Sequence, residues 1–168
     1  FIFKPSYRLF AKKMLDFLQR RYGKLDRILL VTEVSRDAMK EYQQAYIEQF
    51  KKHHTKFNTF EFLENDKNIV SEIRQFLKRK KPYHFVFLLS GVIASAKVAN
   101  ALNDQKIVFI GTENYGSSSA QSFYVRLINK RIQSYFIRNL DFLKANKKLQ
   151  SFKNAYEDKY NQKPLLLS

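Results

Sequence analysis

Lys78, Arg79, Lys80 and Lys81 form an unbroken run of cations, and Lys51, Lys52, His53 and His54, followed by Lys56, form a second basic cluster. Arg20, Arg21 and Lys24 make a third, and Lys130 with Arg131 a fourth. Grouped side chains of these two types do one kind of chemistry. They hold phosphate or other anionic oxygens, Arg through a planar fork and Lys as a compact point charge. The chain carries 31 Lys and Arg against 15 Asp and Glu, a formal charge of +16. A field of that size attracts polyanions: nucleic acid, anionic lipid or an acidic polymer. A Lys-rich genome would raise the charge of a protein without any such purpose, so the placement of the cations decides between the two readings.

Chemistry of other kinds is thinly supplied. The absence of Cys excludes disulfides and thiolate metal sites and leaves the redox compartment open. His53, His54 and His84 show no metal-ligand spacing with carboxylates, and the His53-His54 pair reads as surface. Ser90-Gly91 reads as a tight turn, because the G-x-S-x-G pattern of a nucleophile elbow is missing. Ser117, Ser118 and Ser119 stand at a predicted helix start, where capping suits them better than anion capture. No Gly-rich phosphate loop occurs. Tyr115, Tyr124 and Tyr135 have faces on which bases could stack, but with 16 Phe and 10 Tyr most aromatics must be core. The sequence points to a binding protein rather than an enzyme, with no metal and no cofactor expected.

The elements that position these residues follow from hydrophobic period. At 168 residues the chain is one domain, or one lobe of a larger protein, and long enough to bury a proper core. Ile28 to Val31 is a continuous apolar run, as in a strand buried on both faces, and Thr32 to Asp37 reads as a polar turn. Met39, Tyr42, Tyr46, Ile47 and Phe50 then recur at helical spacing. Before them Pro5 and Ser6 open a helix that Gly23 ends, with Leu9, Phe10, Met14, Phe17 and Leu18 as its apolar stripe. Phe57 to Leu63 reads as a strand near a sheet edge, and Asn65 or Asp66 as the cap of a helix running to the Lys78 cluster and stopped by Pro82. Phe85 to Leu89, Lys106 to Ile110 and Ile132 to Ile137 read as further strands. Helices are predicted over Val92 to Leu102, Ser117 to Asn129 and Ala145 to Tyr160. Strand and helix alternate throughout, which predicts a right-handed, doubly wound parallel sheet in a three-layer αβα sandwich. The most apolar window, Phe85 to Ala96, is too short to span a bilayer, so no membrane insertion is expected.

Four stretches resemble a known family. FIFKPSYRLFAKKMLDFLQRRYGKLDRILLV is similar to the start of the second lobe of type 1 periplasmic binding proteins, FVFLLSGVIASAKVANAL to their third strand and helix, and KIVFIGTEN to their fourth strand and ligand loop. FKNAYEDKYNQKP, with Phe152, Tyr156, Tyr160 and Pro164, is similar to their F...Y...Y...P helix. The resemblance implies one flavodoxin-like lobe of five strands, ordered 2-1-3-4-5, covering residues 1–168. It places Glu113 where amino-acid binders of the family hold the ligand's ammonium, and a solute-binding lobe would use Ser90, Glu113 and Arg138 to line half a pocket. The family's Tyr-Gly after the first strand is replaced here by Asp37 and Ala38.

In a parallel sheet the loops that precede the strands share one pole. There the reading places Arg20, Arg21, Lys24, Lys51, Lys52, Lys56, Lys78, Arg79, Lys80, Lys81, Lys130 and Arg131, with few acids among them. Helix C-termini favour cations by ~0.3–1 kcal/mol each, which explains one or two per helix but not an unbroken run. Double-stranded DNA, with one phosphate per ~1.7 Å of axis, is the best-matched polyanion. No helix-turn-helix, zinc finger or RNA-recognition signature occurs, so contacts would be to the backbone and independent of sequence. Fold and charge together resemble the periplasmic DNA-binding proteins of bacterial competence. That resemblance implies a periplasmic protein that captures incoming duplex DNA during natural transformation and hands it to an inner-membrane channel. The alternatives are a solute-binding or sensing lobe for an amino-acid-like ligand, and a lipoprotein-type regulator of peptidoglycan synthesis.

Overall fold

The computed structural model describes residues 6–64, 67–78, 82–102, 107–112 and 133–135, together with Ser151, Asn154, Ala155 and Asp158. Helix α1 spans Tyr7–Tyr22 and is capped as expected: the Ser6 side chain accepts from the Leu9 N–H. It ends at Gly23, whose φ of 72° is a left-handed turn that favours glycine, and whose N–H donates to the Gln19 carbonyl. Phe10, Ala11, Met14, Leu15 and Leu18 are its buried face.

Strand β1, Ile28–Glu33, is buried at every residue. It takes in Thr32 and Glu33, which the sequence reading gave to the following turn. Parallel pairing accounts for the difference: Thr32 is held between Glu61 and Leu89, and Glu33 lies opposite Phe62, so the ladder runs past the apolar residues. Helix α2, Asp37–Lys52, follows. Strand β2, Phe57–Phe62, lies at the sheet edge, where only Phe62 is fully buried. Helix α3, Ile69–Lys78, begins after Asn68, later than the expected cap at Asn65 or Asp66, which lie outside the described residues. The Asn68 carbonyl accepts from the Glu72 N–H and the Ser71 hydroxyl.

Strand β3, Phe85–Leu89, is again buried throughout, and helix α4, Val92–Ala101, packs its small residues closely. Strands β4, Val108–Ile110, and β5, Gln133–Tyr135, fall within the predicted stretches, β4 beginning after Ile107; the rest of the predicted fifth strand lies outside the described residues. The predicted helix over residues 117–129 lies outside the described residues. Of the one over 145–160, the described Ser151, Asn154, Ala155 and Asp158 are helical.

All pairings are parallel and the order is β2-β1-β3-β4-β5, as the resemblance implied. One face of the sheet carries Ile28, Leu30, Phe85 and Phe87 against α1 and α2. The other carries Leu29, Val31, Val86 and Leu88 against α3 and α4. The chain leaves β1 toward β2 and returns past it to β3. The carboxyl ends of β1 and β3 are therefore the topological switch point, where open α/β sheets take their ligands.

Candidate functional site

At the switch point lies a cleft of about 380 Å³ lined by Glu33, Arg36, Phe62, Leu63, Glu64, Ile69, Gly91, Val92, Ile93, Ala94 and Lys97. Its floor is an ion-pair network joining three loops. The Glu33 carboxylate, buried to 2% side-chain exposure, accepts from the Gly91 N–H at 2.7 Å and from Arg36 Nε at 2.8 Å. Arg36 continues to Glu64 through Nη2, at 2.6 Å. Both carboxylates stabilise the guanidinium, Glu33 more than Glu64, and hold Arg36 firmly protonated. The Ser35 hydroxyl accepts from the Glu64 N–H, and the Val34 N–H donates to the Phe62 carbonyl, locking the same loops together.

The chemistry of this end follows from where Glu33 sits. Gly91 caps α4, and a helix N-terminus presents unpaired N–H groups that favour an anion. In this chain that anion is internal, the Glu33 carboxylate. A Cβ on Gly91 would lie 3.4–3.5 Å from Arg36 and Glu33, so the network packs directly on the glycine. Leu63 and Ile93, the exposed large hydrophobics among the described residues, border the cleft. Glu33, Arg36 and Glu64 escaped the sequence reading because Glu33 was assigned to a solvated turn. The signal was present as an acid ending an apolar strand with an Arg three residues on.

Of the predicted pocket residues, Ser90 is buried and its hydroxyl is bonded to that of Ser95, so it does not line the cleft. Glu113 and Arg138 lie outside the described residues. Asp37, at the family's Tyr position, is exposed at the start of α2 and paired to Lys40.

The opposite pole gathers the predicted basic residues. Arg20 and Arg21 end α1, Lys24 follows it, Lys51 and Lys52 end α2, Lys56 precedes β2 and Lys78 ends α3, all exposed. Arg79, Lys80, Lys81, Lys130 and Arg131 lie outside the described residues. Ile28 pairs with both Phe57 and Phe85, so the loops carrying these clusters enter the sheet at one level. Among the described residues none of these seven cations has a carboxylate within ion-pair distance; Asp26, an acid of this pole, pairs with Arg27 and His84.

Two non-glycine residues of this pole have left-handed backbones, Arg27 at φ 51° and His54 at φ 50°. His54 closes α2 in a Schellman turn: the Thr55 N–H reaches the Phe50 carbonyl and the His54 N–H reaches that of Lys51. Glycine is the usual residue at this position, so the chain carries a basic side chain where conformation alone would favour none.

No group of three His, Cys, Asp or Glu among the described residues is arranged to hold a metal. Nor is any described helix long and apolar enough to cross a membrane.

No protein-family model and no curated protein sequence matches the chain. Solved structures do match it. The leucine binding protein LivK of Thermotoga maritima superposes with a TM-score of 0.64 at 12% identity, over 94% of this chain and 44% of that one. The substrate-binding protein LivJ of Streptococcus pneumoniae, in complex with isoleucine, superposes at 0.61 and 16%, over 94% and 44%. A periplasmic binding protein/LacI transcriptional regulator of Alkaliphilus metalliredigens, complexed with D-xylulofuranose, superposes at 0.50 and 14%, over 79% and 60%. At these identities the likeness is one of fold, that of a type 1 periplasmic binding protein lobe. The chain spans less than half the length of the first two.

Proposed function

We propose that this chain is one lobe of a two-lobed solute-binding or sensing protein working outside the cytoplasm, and that its solute meets it at the cleft between β1 and β3. The observation that carries this reading is the coincidence of the switch point with a cleft whose polar floor is already rigid. Because Glu33 fills the α4 N-terminus, an anionic group of the solute would meet Arg36, and an ammonium or hydroxyl would meet Glu64. Apolar parts would lie on Leu63 and Ile93. An amino-acid-like solute satisfies all three, and the LivJ structure holds isoleucine in the same fold. A lobe encloses only one side of such a molecule, so affinity of this part alone would be weak, on the order of millimolar, or −4 kcal/mol. Calorimetric titration with leucine, isoleucine and D-xylulose tests it. We expect heat with at least one and its loss in Arg36→Gln; silence toward all three would remove the reading.

A second reading rests on a different observation, the seven exposed and unpaired cations at the opposite pole. They suit sequence-independent binding of duplex DNA through phosphates, as in capture of incoming DNA during natural transformation. Anisotropy of a labelled duplex of about 30 base pairs, titrated from low to physiological salt, tests it, since log K falls by about 0.9 per phosphate contacted. No binding at low salt would reduce the charge of the chain to composition. Neither reading includes a catalytic step.

A further inference from the structure

Among the seven described cations without carboxylates at the basic pole, one differs from the rest. Arg20 donates its Nε–H to the Asp16 carbonyl of its own helix, and Lys24, Lys51, Lys52, Lys56 and Lys78 are flexible side chains in solvent. Arg21 is exposed as well, but it lies between two aromatic rings from elements far apart in sequence. Its Cζ is 5.9 Å from the centroid of Tyr22 and 5.7 Å from that of Tyr135, on β5. The rings are themselves fixed. The two phenol oxygens are 3.0 Å apart in a hydrogen bond, Tyr22 packs edge-on to Phe85, and Tyr135 packs edge-on to Phe17.

We propose that Arg21, held over Tyr22 and Tyr135, is a preorganised seat for a phosphodiester group and the anchoring contact of the basic pole. The proposal rests on the DNA reading of that pole. A long cation in solvent loses rotamer freedom when it grips a phosphate, and a guanidinium already oriented by its neighbours loses less. The guanidinium fork carries five N–H donors, so contact with the two tyrosines leaves others for phosphate oxygens at this exposed position. A hydrogen bond with Tyr22 and the field of Tyr135 raise the basicity of Arg21, while burial and the bond to Tyr135 raise the pKa of Tyr22, so both keep their protonation at any working pH. The surrounding lysines then add a diffuse attraction that steers without fixing geometry.

The closing experiment compares substitutions of equal charge by duplex anisotropy across salt. Arg21→Gln is expected to weaken binding by about tenfold and to lower the salt slope by about 1, whereas Lys24→Gln costs roughly twofold. Arg21→Lys keeps the charge and removes the planar fork, and is expected to lose about fivefold, while Lys24→Arg changes nothing. Arg21 is exposed, so both variants keep the fold, which thermal melts verify. Equal effects of Arg21→Gln and Lys24→Gln, or wild-type binding by Arg21→Lys, would overturn the seat while leaving DNA binding intact. Failure of the unaltered protein to bind duplex at low salt would instead overturn the DNA reading, and the seat with it. Free inorganic phosphate serves as competitor. Displacement of the duplex at millimolar phosphate, at constant ionic strength, would show a seat for the free anion and overturn the assignment to the diester backbone.

Discussion

The two ends of one sheet treat charge in opposite ways. At the carboxyl end the charges of the network answer one another: Glu33 is met by Arg36 and Gly91, and Arg36 by a second carboxylate, Glu64. At the amino end seven exposed cations stand without carboxylates among the described residues, and Asp26 there is committed to Arg27 and His84. Desolvation explains the first arrangement. A buried carboxylate is tolerated only when hydrogen-bonded and paired, so Glu33 had to recruit its partners within the fold. Exposed lysines carry no such penalty and can be kept unpaired for an external partner at little cost to stability. The Glu33 charge is structural, the half-exposed Arg36 and Glu64 can serve both the network and a solute, and the cations of the other end are free of carboxylates.

Removing a charge should therefore hurt folding at one end and binding at the other. The largest effect is expected from Glu33→Ala. It strips the α4 N-terminus of its anion and leaves Arg36 with Glu64 alone; since Arg36 is half-exposed and can rehydrate, the loss should be ~2–3 kcal/mol rather than the full cost of breaking a buried pair. Urea denaturation measures it, and a loss under about 0.5 kcal/mol would mean that the network is incidental. Next comes the triple reversal Lys51→Glu, Lys52→Glu and Lys56→Glu. Its duplex affinity should fall by ~10–100-fold while stability falls by only ~1–2 kcal/mol, the helix-dipole contribution lost at Lys51 and Lys52. A large drop in stability would show that this pole, too, is built for the fold. A smaller effect is expected of Gly91→Ala. Its φ of −60° suits alanine, and the added methyl meets Arg36 and Glu33 at ordinary contact, so stability should change by under ~0.5 kcal/mol while solute affinity at the cleft falls.

Sequence legibility divides along the same line. The order of elements, the two doubly buried strands and the edge position of β2 were all written in hydrophobic period, because burial on one face or two leaves a direct trace in residue type. The shared pole of the seven described cations was legible too, since cations at helix ends and in the loops before strands must share a pole once the sheet is parallel. The Glu33 network was not. Whether an acid that ends a strand is solvated or buried depends on how far the ladder continues, and that is set by Phe62 and Leu89 on neighbouring strands. Ser90 misled for a related reason. The turn was placed correctly, but its hydroxyl faces Ser95 across the start of α4 rather than the cleft. Tyr135 was singled out as a face for stacking, yet its meeting with Arg21 needed the crossing of α1 over β5, which no local pattern encodes.

A small effect of opposite sign sharpens the comparison most finely, at His54. Its left-handed backbone costs an L-residue about 1 kcal/mol, and glycine would relieve that strain while adding entropy to the unfolded chain, a partly offsetting loss. His54→Gly should therefore stabilise the fold by about 0.5 kcal/mol, read as a shift of the urea midpoint. If the residue is kept for its side chain, the same variant should weaken duplex binding in the anisotropy assay despite that gain in stability. A gain in stability with unchanged duplex binding would show that His54 is tolerated rather than used, and would confine the phosphate contacts of this pole to its lysines and arginines.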